Sequence, residues 1–507
     1  MLRPGDVVSL GLYLALTVAI ALWTVRRAGT TEGYFLASRR MSGWAVGLSM
    51  LATAISSVTF LAYPGSAYEG NWSRLVPGLM LPIATLIGVL VFIPFYRSCS
   101  LTSAYEYLES RFGPWGRTYG CLLFTLGSIY RTGSILYLLA IPIKQMTGLS
   151  AETTIIGTGI FVVFYTMLGG IEAVIWTDVM QGIVLTLGGI VCVLVVLLKI
   201  PEGVGGLLRH ALAAHKFSLN VSFDFDLTRD TFIVLALNGL IGNIQEFATD
   251  QTKVQRYLAP KTLAGARQAA WWCGLGCIPT WMLFMFVGTC LFVFYSYFPN
   301  ALKPGLKSDE VFPFFILTQL PQGVGGFVIA AVFAAAMSSI ASSMNATATV
   351  VMVDIYKRYL VKDKEDRHYL AAARWTTLIA GALMMVAALS LLIIKATSIL
   401  DAFFKLGAVF AGGLGGLFLL GFLTTRATNR AAKVGIAAAL LVIGWLTISQ
   451  FDILPHPFRS PTHAFLIGVI GNVTVFTVGL ICSYLFGPPE KRDLNGLTWW
   501  TRIKQVS

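Results

Sequence analysis

The stretch Ala334 to Asn345 reads Ala-Ala-Ala-Met-Ser-Ser-Ile-Ala-Ser-Ser-Met-Asn and lies inside a long apolar run of the sequence. Almost all of its residues are small, and four of them carry hydroxyl groups. At helical spacing, Ala335, Ser338, Ser339 and Ser342 fall within roughly a quarter turn of one face. Lipid gives no reason to gather hydroxyls on one face. A close-packed partner helix gives one reason, and an ion that needs oxygen ligands gives another.

The composition predicts an α-helical membrane protein. The chain has 507 residues, of which 56% are hydrophobic and only 12% charged, whereas a soluble chain carries about 25% charged residues. Apolar runs of about 18 residues or more, each long enough to cross a bilayer, recur along the whole chain. The seven cysteines contain no Cys-x-x-Cys pair and the five histidines no His-Glu-x-x-His motif, so neither a disulfide framework nor a zinc site is indicated. We therefore predict an all-α, polytopic membrane protein without a separate soluble domain.

The apolar runs predict thirteen membrane spans. Their boundaries are expected to be good to about four residues. In chain order the predicted spans are Val7–Trp23, Met41–Tyr68, Leu75–Phe95, Thr118–Ile143, Thr153–Leu168, Val174–Leu198, Thr231–Phe247, Gln268–Phe294, Val324–Met352, Tyr369–Ile394, Ile399–Leu423, Ala431–Ile448 and Ala464–Phe486. Because the number is odd, the two termini are predicted to lie on opposite sides of the membrane.

The distribution of positive charge predicts the orientation. Loops on one side of the predicted spans carry more than twice as many Lys and Arg residues as loops on the other side, and this side is expected to be cytoplasmic. The amino terminus is then outside a plasma (inner) membrane and the carboxyl terminus inside. One long outer loop, with Lys199, Arg209, Lys216 and Arg229, goes against the bias. The net charge of +13 thus reflects topology rather than nucleic-acid binding.

Two of the predicted spans contain interruptions. The second span is interrupted at Ser56-Ser57 and Pro64-Gly65, and the seventh at Gly239, Gly242 and Asn243. Two interrupted spans in matching positions of two halves indicate an inverted-repeat transporter. An offset of five spans also inverts the second copy, because each crossing reverses the direction of the chain.

Two charged residues inside predicted spans are candidates for function, because a charge there is costly unless it is paired or hydrated. Arg131 lies near the middle of the fourth span, and its planar guanidinium suits a carboxylate ligand. A structural ion pair with another span is the alternative. Asp178, in the sixth span, could ligate Na⁺ or carry a proton. The alternative is a carboxylate at the helix end that faces water.

The first interruption also gathers oxygen-bearing groups. Carbonyl oxygens released where a helix unwinds, together with Ser and Thr hydroxyls, are what Na⁺ coordination inside a transporter uses. Packing of small residues between helices is the alternative reading. With Asp178 and Arg131 present, we favour a binding site. The residues around the interruption are Ala52, Thr53, Ile55, Ser56, Ser57 and Thr59.

The chain resembles the sodium/solute symporters, the family that includes sodium-coupled transporters of sugars, proline, pantothenate and sialic acid. Its pattern is closest to that of the bacterial sialic acid symporters. Each matching stretch is weak alone, but together they run across most of the chain in the family's order and spacing. The matching stretches are 47–65, 168–181, 250–256, 335–345 and 353–356.

The resemblance implies a LeuT-type core of two inverted five-helix repeats with additional helices. Residues 1–40 would form a leading helix and a cytoplasmic loop, and 41–200 the first repeat. Residues 201–423 would form the second repeat, and 424–507 two trailing helices with a cytoplasmic tail. This arrangement agrees with about thirteen spans and an outside amino terminus.

The resemblance also implies Na⁺ as the coupling ion and positions for it on this sequence. A first sodium site would use the carbonyl oxygens and hydroxyls of Ala52, Ile55, Ala335, Ser338 and Ser339. A possible second site would use Asp178, Ser338 and Ser342. For substrate, Arg131 resembles the arginine that binds the carboxylate of sialic acid, and Ser56 and Thr59 resemble hydroxyl contacts. Ser57, beside them, completes the predicted substrate-binding set.

These inferences predict a Na⁺-coupled secondary active symporter rather than an enzyme. Its substrate would be a small organic solute, an acidic sugar such as sialic acid, imported by alternating access. A neutral sugar, another monocarboxylate and proton coupling are the alternatives. A sensor or channel is a further alternative class, but no continuous polar stripe suggests a pore. The expected partners are the substrate and the lipid bilayer, with no nucleic acid and no obligatory protein partner.

Overall fold

The computed structural model describes residues 3–99, 101–219, 221–394, 413–450, 454–486 and 493–501. Within these residues the regular structure is helical, apart from an isolated bridge between Met41 and Pro260. The α-helices are Pro4–Thr24, Thr31–Leu36, Gly43–Ala54, Ser57–Glu69, Val76–Leu79, Leu81–Ile87, Ile93–Ser98, Glu106–Phe112, Pro114–Thr147, Ala151–Lys199, Gly203–Ala213, Phe232–Thr249, Gln251–Leu258, Leu263–Tyr297, Ser308–Gln319, Val324–Val350, Asp366–Ile394, Leu414–Leu423, Asn429–Ser449 and Ile467–Leu485. Two π-helical segments are Gly88–Phe92 and Val351–Leu360.

The helices account for the predicted spans. In the described part of the chain, ten helices are long and apolar enough to cross a membrane, or eleven with the bent pair Gly43–Ala54 and Ser57–Glu69. The fifth and sixth predicted spans fall on one 49-residue element, Ala151–Lys199. Of the eleventh predicted span, residues 399–412 lie outside the described residues, and the rest forms Leu414–Leu423.

Gly170 divides the long element into two spans. A straight helix of this length would measure roughly 75 Å, more than twice the thickness of the hydrocarbon core. Gly170 has a positive φ of 57°, and a Cβ at this position would lie 2.4 Å from the carbonyl oxygen of Tyr34. Only glycine fits both constraints, so the backbone can leave the helical conformation here, and the fifth and sixth predicted spans lie on the two sides of this kink.

The second span is broken where the sequence predicts its first interruption. Ile55 and Ser56 are extended, with ψ angles of 99° and 177°, and the two half-helices meet at 55°. The predicted interruption at Pro64-Gly65 is wrong, because the second half-helix continues to Glu69. Gly65 instead admits a close neighbour, since a Cβ there would lie 2.4 Å from the carboxylate of Asp309.

The seventh span is broken at a different place from the predicted one. Phe232–Thr249 runs without interruption through Gly239, Gly242 and Asn243, so the prediction of a break at these residues is wrong. Gly239 serves close packing, because a Cβ there would lie 2.3 Å from the carbonyl oxygen of Pro77. The helix ends instead at Asp250 (ψ 114°), where the eight-residue helix Gln251–Leu258, here called the linker helix, begins.

Val324–Val350, here called the serine helix, lies at the centre of the bundle. Every residue from Ala334 to Val350 is buried, and the helix packs against both Ala151–Lys199 and the broken second span. Its amino-terminal end is fixed by Asp6 of the first span, whose carboxylate accepts hydrogen bonds from the backbone N–H groups of Gly323 (2.8 Å) and Gly326 (2.9 Å).

Lys216 fastens the long loop that the charge count places outside. Its ammonium donates to the carbonyl oxygens of Tyr68 (2.7 Å) and Gly70 (2.9 Å) and lies 3.9 Å from the ring centre of Phe292. Burial lowers the pKa of Lys216. The ammonium thereby satisfies carbonyl groups that the end of the second span leaves without helical partners.

The other three basic residues of this loop also have local partners. Arg209 pairs with Glu202 and Arg229 with Asp226, each at 3.2 Å, and Lys199 donates to the carbonyl oxygen of Gln319 at 2.8 Å. Each of the four basic residues that depart from the charge bias thus has a polar partner within the protein, and Lys216 is the buried one among them.

Replacing Lys216 with methionine is expected to lower the free energy of unfolding by about 2 kcal/mol, the value of hydrogen bonds from a charged donor. Arg209→Met removes a positive charge from an exposed pair of the same loop and is expected to change stability little. Thermal unfolding of the purified variants in detergent compares them. Equal stability of the two variants would contradict a structural role for Lys216.

Candidate functional site

The two broken spans line a single cavity of about 500 Å³. The second span contributes Thr53 and Ser56 beside its break, and the seventh contributes Thr249 and Asp250 at its own. Arg131, Ser339 and Trp281 also line this cavity. Helix breaks that face a cavity are where membrane proteins place backbone groups that bind ligands and ions. The cavity is therefore the candidate binding site.

Arg131 lines the cavity from the fourth span. Its Nη2 donates to the hydroxyl of Ser343 on the serine helix at 3.1 Å, and its Nη1 lies 3.8 Å from Oδ2 of Asp250. The side chain remains 35% exposed. A guanidinium has five N–H donors, so these two contacts leave capacity for a ligand. Arg131 is therefore accessible to an anionic ligand in the cavity.

The residues at the start of the linker helix also belong to the cavity, although the sequence reading did not place them in a site. Asp250, Thr252, Lys253 and Arg256 are among its lining residues. Asp250 accepts a hydrogen bond from the backbone N–H of Thr252 at 2.7 Å, the pattern of a helix N-cap. An aspartate two residues before a threonine, shortly after the end of the predicted seventh span, is the signal that could have revealed this break.

The break in the second span leaves backbone carbonyl oxygens without helical hydrogen bonds, and the serine helix lies beside them. The last backbone hydrogen bond before the break joins Ile55 N to Leu51 O, and the first one after it joins Phe60 N to Ser56 O. Among the described residues, no backbone hydrogen bond of the helical ladder therefore reaches the carbonyl groups from Ala52 to Ile55.

Two serine hydroxyls approach these freed carbonyl groups. The Ser338 hydroxyl donates to the carbonyl oxygen of Ala52 at 2.9 Å and to that of Ala335 at 3.2 Å. The Ser339 hydroxyl donates to the carbonyl oxygen of Thr53 at 3.0 Å. The structure thus brings Ala52, Ala335, Ser338 and Ser339 of the predicted first sodium site together, and Ile55 ends the half-helix beside them.

Asp178 lies in a separate polar cluster beside the break. Its Oδ2 atom accepts hydrogen bonds from Arg256 Nη2 (2.8 Å), Ser49 Oγ (2.7 Å) and Ser342 Oγ (3.3 Å). Arg256 also donates to the hydroxyls of Ser49 and Ser342. Both partners of this ion pair are fully buried, with side chains 1% and 0% exposed. The Oδ1 atom of Asp178 has no hydrogen-bond partner among the described residues.

The predicted second sodium set is divided between these two groups. Ser342 lies with Asp178, whereas Ser338 faces Ala52. Thr53 connects the groups, because its hydroxyl lies 2.9 Å from that of Ser342 and its carbonyl oxygen accepts from Ser339. The charge partner of Asp178 was not foreseen, since Arg256 is distant in sequence.

The predicted substrate hydroxyls take different places. Ser56 lines the cavity, as Arg131 does. Ser57 is buried and donates to the carbonyl oxygen of Ile135 at 3.5 Å. Thr59 is also buried, with 6% of its surface exposed. Neither residue is among those that line the cavity. Ser57 is the first residue of the second half-helix, and its contact with Ile135 places its side chain against the fourth span.

The rest of the cavity combines amide groups with one aromatic wall. The Asn472 side-chain amide donates to that of Gln245 at 2.7 Å, and both residues line the cavity. Trp281 can lie against the third span because residue 78 is glycine, where a Cβ would be 2.6 Å from the indole ring. Amides, a guanidinium and an aromatic ring suit a ligand that carries a carboxylate, several hydroxyls and an apolar face.

Comparison with known proteins places these features in a family. The sequence profile of the sodium:solute symporter family matches residues 34–438. The sodium/sialic acid symporter SiaT of Proteus mirabilis is 33% identical over 486 residues, which are 95% of each chain. The sodium/sialic acid symporter NanT of Aliivibrio fischeri is 34% identical over 96% of this chain and 94% of its own. The human sodium/iodide cotransporter is 31% identical over 98% of this chain and 86% of its own.

Solved structures agree with this result. A substrate-bound, outward-open Na⁺-coupled sialic acid symporter superposes with a TM-score of 0.87 at 31% identity, covering 96% of this chain and 99% of that one. Mhp1, a nucleobase-cation-symport-1 family transporter in a closed conformation, superposes with a TM-score of 0.59 at 16% identity and shows the fold alone.

The predicted all-α, polytopic, LeuT-type architecture is confirmed, with an approximate number of spans, and the chain is a multi-span membrane protein. The resemblance found in the sequence is confirmed as well. Its relatives are sodium-coupled carriers of small solutes. On its matched profile and on its similarity along nearly its whole length, this chain belongs to the sodium:solute symporter family.

Proposed function

We propose that this protein is a Na⁺-coupled symporter that imports an acidic sugar, with sialic acid as the first candidate, by alternating access. The observation that carries the proposal is Arg131, a partly exposed guanidinium in a cavity bounded by two helix breaks. The substrate carboxylate would bind Arg131, and Ser56 would contact a substrate hydroxyl. Ser57 and Thr59 remain predicted contacts, which rocking of the second half-helix would bring to the substrate.

The coupling Na⁺ would bind at the break of the second span. Its ligands would be the carbonyl oxygens of Ala52, Ile55 and Ala335 and the hydroxyls of Ser338 and Ser339. The donor set fits a hard cation, because Na⁺ prefers oxygen ligands and the carbonyl groups of Ala52 and Ile55 lie outside the helical ladder. Na⁺ held here would join the second span to the serine helix and order the substrate pocket beside them.

A second Na⁺ at Asp178, Ser338 and Ser342 is a separate proposal. Its support is Oδ1 of Asp178, a buried carboxylate oxygen with no hydrogen bond among the described residues. Arg256 already neutralises this carboxylate through Oδ2. We therefore expect this site to bind Na⁺ more weakly than the first one.

We infer the transport cycle from the repeat architecture. The repeats 41–200 and 201–423 would rock around the central site, with the leading segment 1–40 and the trailing segment 424–507 outside the core. The amino terminus would lie outside the plasma membrane and the carboxyl terminus in the cytoplasm. Substrate would leave chemically unchanged, so no enzymatic step is assigned. Neither nucleic acid nor an obligatory protein partner is needed. The names of the relatives specify sodium and so favour it over protons.

A ligand screen by thermal unfolding tests the substrate class. Acidic sugars, neutral sugars and monocarboxylates are added to purified protein in Na⁺ and in choline. N-Acetylneuraminic acid is expected to raise the apparent melting temperature in Na⁺ only, because a ligand at 100 times its Kd stabilises the folded state by about 2.7 kcal/mol. Arg131→Ala is expected to weaken binding of the acid about tenfold to hundredfold. Equal stabilisation in choline, or by neutral sugars, would reject the proposal.

Variants of two serines that lie one turn apart on the serine helix distinguish the two proposed sodium sites. Ser339→Ala removes a proposed ligand of the first site and is expected to lower the apparent Na⁺ affinity about tenfold, as the loss of about 1.4 kcal/mol does. Ser342→Ala should lower it less than about threefold. Na⁺ titrations monitored by thermal unfolding provide the comparison. A larger effect of Ser342→Ala would reverse the proposed order of the two sites.

Asp178→Asn is expected to destabilise the protein by about 3–5 kcal/mol, because it leaves the buried Arg256 without a counter-charge. Glu172→Gln is the matched control on the same helical element, since its partner Arg27 is 53% exposed. Thermal unfolding, together with the yield of folded protein, measures both variants. Wild-type stability of Asp178→Asn would show that the ion pair does not support the fold.

A further inference from the structure

Asp250 lies beside Arg131 at the break of the seventh span. Its side chain is 17% exposed and lines the cavity. Its two carboxylate oxygens have different roles. Oδ1 caps the linker helix by accepting from the backbone N–H and the hydroxyl of Thr252, whereas Oδ2 lies 3.8 Å from Arg131 Nη1. One oxygen is therefore used by the fold, and the other is presented to the same guanidinium that the substrate carboxylate would use.

The other two cations that line the cavity in the described part of the chain are held more closely. Lys253 lies 2.6 Å from Glu246, and Arg256 lies 2.8 Å from Asp178. The pair between Arg131 and Asp250 is the longest of these three and has the most exposed cation. A long, partly hydrated ion pair costs little to separate. Arg131 is therefore the cation in this lining that can exchange its partner most easily.

We propose that Asp250 is a specificity-determining residue that competes with the substrate carboxylate for Arg131. This inference depends on the proposed function, in which an acid binds at Arg131. An incoming carboxylate takes over the guanidinium, and repulsion between like charges moves Oδ2 of Asp250 away. The cost of this exchange applies to every anion. Only a substrate that also contacts the side-chain amides of Gln245 and Asn472 and the ring of Trp281 offsets this cost. Small anions lack these contacts and are therefore rejected.

The variant Asp250→Asn tests this competition without removing the helix cap, because asparagine caps helices about as well as aspartate. Binding of N-acetylneuraminic acid and of its uncharged methyl ester is measured by titration calorimetry in Na⁺. We expect the variant to bind the acid about fivefold more tightly, the upper range for loss of one exposed ion pair. The affinity for the ester should stay unchanged.

Glu246→Gln is the matched control, since it removes one negative charge from the same cavity lining but from the pair with Lys253. An equal gain in affinity for the acid in both variants would show a general effect of cavity charge and overturn the inference. An unchanged ratio of acid to ester affinity in Asp250→Asn would overturn it as well. Failure of the unmodified protein to bind any acid would instead reject the proposed function, and this inference with it.

Discussion

The interruption of the helical ladder between Ala52 and Ile55 is the constraint on which the rest of the site depends. In a bilayer, an unpaired backbone carbonyl group costs several kcal/mol, because no water replaces the lost hydrogen bond. The serine helix meets this cost, since Ser338 and Ser339 donate to the freed carbonyl groups of Ala52 and Thr53. Small residues let the two helices approach closely. One face of the serine helix therefore both packs closely and donates hydrogen bonds to the freed carbonyl oxygens, and the proposed Na⁺ site uses these same groups.

The same face separates into two functions along its length. Ser338 and Ser339 donate hydrogen bonds to carbonyl oxygens at the break. Ser342 donates to Asp178, which forms the ion pair with Arg256. Arg256 lies on the linker helix, whose first residue follows Asp250. One eight-residue helix therefore connects the cavity near Arg131 with the buried charge of the sixth span. Asp250 and Arg256 each hold a group on which transport is proposed to depend.

Much of the fold could be predicted from the sequence, because apolar length alone identifies membrane spans and because Ser56 marks a break within one of them. The second break could not be located from glycines. Gly239 looks like a helix breaker in sequence, but it serves close contact with Pro77. A glycine that breaks a helix and a glycine that admits a close neighbour look the same in a sequence. Only the position of the neighbouring backbone in the folded protein distinguishes them. The capping pattern at Asp250 was the better signal.

The site was predictable in its residue types and not in its pairings. Arg131 and Asp178 stand out because charges in apolar runs are costly. Their partners Asp250 and Arg256 come from a segment that the sequence places after the seventh predicted span, outside the apolar runs. Lys216 shows the same limit, because its contact with the end of the second span joins residues far apart in sequence. Which side chains pair over long sequence distances depends on how the helices pack, and this packing cannot be read directly from a single sequence.

Uptake by protein reconstituted into liposomes tests the central claim most directly, namely that this protein couples substrate uptake to a Na⁺ gradient. Labelled N-acetylneuraminic acid is supplied outside, with an inward gradient of Na⁺ or of choline of equal concentration. The account predicts accumulation above the external concentration with Na⁺ and only equilibration or no uptake with choline. Equal accumulation with choline would contradict it.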